Sequence, residues 1–202
     1  MSFRSSCVVT YAAALSLAGA VLGGAALGAQ TPPPVAEQIT AAVQALPKEL
    51  RDGAGVMGYK AAGKLDWLRP TKNGMMCLAD DPAEEQFHVS CYHDSMDPFM
   101  ARGRELAAQG KKAVEITKIR EEDVKSGKLK MPDRGVLNVT TGKHDAATGE
   151  VTELYTRYVV YIPYATPDTT GIPLAPATPG GPWIMDAGTH RAHIMINPPK
   201  PK

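Results

Sequence analysis

Cysteine is scarce in this 202-residue chain, with three in all, and only Cys77 and Cys91 lie beyond the first thirty residues. That rules out a disulfide-dense mini-protein and the multi-cysteine zinc modules. Serine is nearly as rare after residue 29: Ser90, Ser95 and Ser126. None sits in a Gly-x-Ser-x-Gly elbow, and there is no His-Glu-x-x-His pair and no glycine-rich phosphate loop. Aromatic residues make up only 6%. Past residue 29 no apolar run is long enough to cross a bilayer as a helix, so no integral membrane domain is expected there. Charge of one sign is lacking too. The leader carries Arg4 and no acid, which leaves 21 basic side chains against 21 acidic ones in the rest. Such a balance gives no electrostatic case for nucleic acid or an anionic membrane as partner.

What is present begins with an export signal. Arg4 precedes an uncharged stretch from Val8 to Ala29 rich in alanine and glycine, and Ala26-Leu27-Gly28 offers a small-x-small cleavage pattern, with Ala29 as a nearby alternative. Residues 1–29 are therefore expected to be a signal peptide, with a retained membrane anchor as the competing reading. Export places the protein in the periplasm or outside the cell. It also leaves an even pair of cysteines in an oxidising compartment, where a Cys77–Cys91 disulfide is expected; free buried thiols or metal ligands are the alternatives. A bridge there closes a loop of about 15 residues and is worth about 3 kcal/mol on a chain-entropy argument.

Residues 30–34 (Gln-Thr-Pro-Pro-Pro) read as a stiff tether. Ile39, Val43, Leu46 and Leu50 recur at helical spacing, and Pro47 must end or kink that helix. Strands are expected at 56–60, 65–69, 75–79 and 86–92, with Asn73-Gly74 predicting an antiparallel hairpin turn between the second and third. In the fourth, Phe87, Val89, Cys91 and His93 share one parity and His88 and Tyr92 the other. Helices are expected over 94–109, with Asp97-Pro98 as cap and first turn, and over 117–126. Strands follow at 135–141, 151–161 and 192–196, with a Pro- and Gly-rich loop from 163 to 182. Strands and helices are segregated along the chain. The expected fold is α+β: an antiparallel sheet with an N-terminal helix and two middle helices packed on it, one domain over residues 35–197, and a tail at 198–202.

Two motifs resemble a group of secreted bacterial proteins known only as hypothetical. One is Leu68-Arg69-Pro70-Thr71-Lys72-Asn73-Gly74-Met75-Met76-Cys77. The other is Pro182-Trp183-Ile184-Met185, followed by Gly188 and His190-Arg191-Ala192-His193-Ile194-Met195, and Cys91-Tyr92-His93 looks like part of the same signature. The resemblance implies a bacterial exported protein and names no activity.

Three chemistries compete. His93, His190 and His193 could supply three nitrogens to a metal, with Asp94 or Asp97 nearby; neighbouring methionines suit copper, and a carboxylate suits zinc. The spacing matches no established metal motif, and methionines at helical spacing are commonly core filler. Hydrolysis could draw on Ser95 beside His93 and Asp94, or on the acidic loop containing Asp80, Asp81, Glu84 and Glu85. Finally, Trp67, Tyr92, Tyr161, Tyr164 and Trp183 could line a ligand surface, although Trp67 and Trp183 read equally as core anchors. The balance favours an exported small-ligand-binding or structural domain with no resident cofactor and no identified partner. The alternative is a zinc or copper protein, or a metal-dependent hydrolase, using His93, His190 and His193.

Overall fold

The computed structural model describes residues 31–61, 63–145, 148 and 150–200. The expected signal peptide, the first residue of the tether and the last two residues of the tail lie outside the described residues. Prolines 32–34 lead into α1 (Val35–Ala42), which tightens into a 3-10 turn over Val43–Ala45. Leu46 is forced into an extended conformation, φ −107° and ψ 151°, as the residue before Pro47. Pro47 then starts a separate single turn, α2 (Lys48–Arg51), so the expected helix breaks in two at the proline.

The strands are β1 (Gly55–Ala61), β2 (Lys64–Arg69), β3 (Met75–Leu78), β4 (Gln86–His93), β5 (Gly135–His144), β6 (Val151–Tyr161), β7 (Trp183–Met185) and β8 (His193–Ile196). They form one eight-stranded sheet in the order β2-β1-β3-β4-β5-β6-β8-β7. Every adjacent pair is antiparallel except β1 and β3, which run parallel. The helices α3 (Asp97–Ala108) and α4 (Ala113–Lys125) fall between β4 and β5, and a single turn α5 (Pro167–Thr170) sits in the long loop before β7. The fold is α+β, as expected.

The parallel β1–β3 pairing corrects the expected hairpin at Asn73-Gly74. Residues 70–74 carry the chain across the end of β1 rather than back along β2, and the Lys72 amide donates to the Gly53 carbonyl at 2.7 Å. Asn73 secures the crossing: its side-chain amide donates to the Leu50 carbonyl at 2.8 Å, and its carboxamide oxygen accepts from the Met75 amide at 3.1 Å. Gly74 takes φ +77°, which glycine reaches without cost. The dipeptide does make a tight turn, but long-range pairing with β4 decides where β3 goes.

Alternation along the strands divides the core between the two faces of the sheet. On one, Val56, Cys77, Phe87, Val89 and Cys91 meet Ala42, Val43, Ala45 and Leu46 from the α1 segment. On the other, Met76 and Tyr92 pack with Met96, Phe99 and Leu129 under α3 and α4. Each fully buried large side chain contributes about 1.5–3 kcal/mol. Gln38 fastens α1 to the sheet. Beyond Met57, β1 has no β3 partner, and the Gln38 carboxamide takes its place: it accepts from the Tyr59 amide and donates to the Tyr59 carbonyl, both at 2.8 Å.

Candidate functional site

Cys77 and Cys91 stand directly opposite each other on β3 and β4, with Cα atoms 4.0 Å apart, and form the expected disulfide. Both are fully buried against the α1 segment, and as a disulfide neither is a thiolate able to serve a metal or attack a substrate.

The structure does not bring the three expected histidine ligands together. His93 ends β4 on the solvent side, its Nδ1 2.9 Å from Ser95 Oγ and 3.3 Å from Asp94 Oδ1. His193 lies on β8, with β5 and β6 between it and β4, so the two backbones are about 14 Å apart at normal strand spacing. Their side chains also leave opposite faces. His193 stacks obliquely on Tyr161, ring centroids 5.1 Å apart, on the face that carries Tyr92, whereas His93 has the parity of Cys91. His190 is buried edge-on to Phe99 at 5.8 Å, near that same aromatic group. Asp94 stays with His93, and Asp97 turns toward Tyr92 and Arg104. Among the described residues no group of three or more His, Cys, Asp or Glu side chains is arranged to hold a metal ion.

The hydrolytic arrangements fare no better. Ser95 and Asp94 both approach the same His93 nitrogen, whereas a triad requires serine and carboxylate on opposite ring nitrogens. Asp80 accepts from the His88 amide at 2.6 Å and pairs with His144 at 2.9 Å, while Glu84 and Glu85 are exposed. Burial pushes the Asp80 carboxyl up, and the bonds to His88 and His144 oppose that. Nor do the aromatics form a common surface: Trp67 is exposed on edge strand β2, Tyr92 is buried, and Trp183 is half-buried at the opposite end of the sheet.

A groove of ligand size opens elsewhere, between the C-terminal half of α3 and the β1–β2 hairpin, with a volume of about 630 Å³. Met57, Leu65 and Leu78 floor it, Ala107 and Ala108 form the helix wall, and Tyr59, Lys64, Asp81 and Arg104 supply its polar groups. It exists because α3 ends in small residues, leaving the β1–β2 hairpin uncovered on that face. Arg104 is pinned at its rim. One terminal nitrogen donates to the Tyr92 hydroxyl at 2.8 Å and the other to Asp97 Oδ1 at 2.9 Å, while the Tyr92 hydroxyl donates to the same Asp97 oxygen at 2.8 Å. Asp97 is therefore not the expected helix cap: it lies inside the first turn of α3, and Met96 holds the cap position. Burial holds the Tyr92 phenol well above its usual range. Burial and then the Asp81 carboxylate do the same for Tyr59. Both hydroxyls stay protonated and able to donate. The Tyr92–Asp97–Arg104 group was missed by sequence reasoning, which gave Tyr92 and Asp97 other roles and did not single out Arg104. The seven-residue spacing of Asp97 and Arg104, two turns of helix, was the available signal.

Compared with described protein families, characterised proteins and solved structures, the chain has no match.

Proposed function

We propose that this is an exported binding domain, periplasmic or secreted, that takes a small amphipathic molecule with an apolar body and an anionic head into the groove between α3 and β1–β2. One observation carries the reading: a guanidinium fixed by a buried tyrosine and a carboxylate stands at the rim of an apolar groove of about 630 Å³. Small-molecule sites combine an apolar lining of about 300–1,000 Å³ with a few oriented polar groups. Arg104 uses one hydrogen on each terminal nitrogen for Tyr92 and Asp97 and keeps donors for a carboxylate or sulfonate. Of the other charged groups at the groove, Lys64 adds charge of the same sign, and Asp81 is engaged by the Tyr59 hydroxyl. The disulfide accords with work outside the cytoplasm.

Calorimetry with octanoate and with octanol tests this reading. Octanoate is expected to bind and octanol to bind at least about tenfold more weakly, a difference of about 1.4 kcal/mol. Arg104→Met removes the preference, and Ala107→Trp, which fills the groove, abolishes both. Equal affinity for octanoate in the parent and in Ala107→Trp would overturn the assignment.

A further inference from the structure

A second polar cluster lies on the same face of the sheet but under α4 and the loop before β8, and it shares no residue with the groove. At its centre is Arg120. Its guanidinium stacks 3.9 Å above the Phe99 ring, and Nη1 donates to the Phe99 carbonyl at 3.2 Å. Its Nε is buried and has no partner. Gly103 on α3 makes room for it: a Cβ there would stand 3.0 Å from Arg120 Nη1. Among the described residues Arg120 forms no ion pair. The carboxylates nearest this cluster are taken, Asp186 by Arg191 at 2.8 Å and Glu121 by Lys125 at 2.6 Å.

Beside it lies His190, only 2% exposed, with neither ring nitrogen hydrogen-bonded. A buried imidazole with both nitrogens unpartnered is rare in folded proteins. Tyr161 completes the group: its ring is 6.0 Å from that of Phe99, and its hydroxyl feels the charges of Arg191 and Arg120 and, opposing them, of Asp186. Arg191 is oriented by Asp186 and by a 2.9 Å bond to the Thr117 hydroxyl. His193 is committed: its Nδ1 must donate to the Arg191 carbonyl at 2.7 Å, since a carbonyl only accepts.

With Arg191 paired to Asp186 and Lys125 to Glu121, the charge left unbalanced beside His190 is that of Arg120, and it repels a cation, which weighs against the metal that the histidine spacing had suggested. The same charge suits an anion, which would give Arg120 its counter-ion and accept from the His190 ring. We propose that Arg120, His190 and Tyr161, flanked by Arg191, form a binding site for a small anion bearing a carboxylate or phosphate group. The site is separate from the groove and independent of its assignment. Because an anion beside the ring stabilises its charged form, binding draws a proton onto His190. The charged groups facing it are Glu121, Arg120 and Lys125 from α4 and Arg191 from its own loop.

The test is calorimetry of the full chain with sodium phosphate, sodium acetate and sodium chloride, run in two buffers of different ionisation heat. Phosphate or acetate is expected to bind with one site per chain and with proton uptake, and the two arms tell which group is preferred. Arg120→Met and His190→Gln each weaken binding at least about tenfold. Lys118→Met, which removes the same charge from an exposed position on the same helix, leaves it unchanged. No binding by phosphate or acetate, or equal weakening by Lys118→Met and Arg120→Met, overturns the proposal. Should His190→Gln fail to fold, the imidazole resonances of His190 in the unsubstituted protein decide. They shift on titration if the site is real, and unmoved resonances under saturating anion refute it.

Discussion

Replacing Tyr92 by phenylalanine removes one oxygen and nothing else from the face under α3. The side chain is 1% exposed, so no water takes over for the lost hydroxyl at its own position. That hydroxyl accepts from Arg104 and donates to Asp97, both at 2.8 Å. A hydrogen bond to a charged group is worth about 1.5–3 kcal/mol. Two are lost, but Arg104 and Asp97 keep their own 2.9 Å pair, and with 26% and 34% of their side chains exposed they can recover partners from solvent. The net cost is therefore about 2 kcal/mol, nearer one such bond than two. With a urea dependence of about 2 kcal/mol per molar, the unfolding midpoint falls by about 1 M at unchanged slope. A double-mutant cycle with Arg104→Met should give a coupling of about 1 kcal/mol, because the two residues share the network. Octanoate affinity should fall along with stability in Tyr92→Phe, since Arg104 loses one of its two anchors. A midpoint shift equivalent to less than about 0.5 kcal/mol with no coupling would mean that Tyr92 does not position Arg104.

Other parts of the structure give further expectations. Gln38→Ala leaves the Tyr59 amide and carbonyl without partners at the end of β1 and should cost about 2–3 kcal/mol in urea unfolding, whereas substitution at exposed Thr40 should cost little. The alanine pair at positions 77 and 91 should lower stability by about 3 kcal/mol; a fall below about 1 kcal/mol would show that the bridge constrains little in the unfolded chain. His190 supplies a pH dependence. Burial, and after it the Arg120 and Arg191 charges acting against Glu121, hold its pKa below the ordinary 6.5. Above that value the ring is neutral in both states and has no effect on stability. As pH falls below it, the unfolded chain takes up the proton first and stability declines until the folded-state pKa is passed. Unfolding midpoints measured from about pH 7.5 to about pH 5 should fall, and His190→Gln should flatten part of the slope; an unchanged slope would remove His190 from the account.

The strands were legible because alternation reports burial directly. Phe87, Val89 and Cys91 share one face as their parity predicted, with Tyr92 on the other side, and the α1 segment covers theirs. The pairing of Cys77 with Cys91 was legible for a similar reason, since only two cysteines lie beyond the expected leader and they have one way to pair. Strand order was not legible. Asn73-Gly74 reports a local turn, but the pairing of β3 with β1 and β4 depends on contacts distant in sequence. The histidines misled because residue type does not report which strand or face of a sheet a side chain reaches: His93 and His193 are divided by two strands and by the sheet itself. Arg104 and Arg120 were unreadable for a related reason. Both lie on helices where charge usually means solvent, and only the packing against Tyr92 and Phe99 shows otherwise.

The groove between α3 and the β1–β2 hairpin is the centre of this account, and isotope-edited NMR of the full chain saturated with octanoate tests it most directly. Contacts from the acyl chain to the methyl groups of Met57, Leu65, Leu78 and Ala107, lost in Ala107→Trp and repositioned in Arg104→Met, are the predicted result. Octanoate that contacts none of these methyls, or that binds Ala107→Trp as it binds the parent, would contradict it.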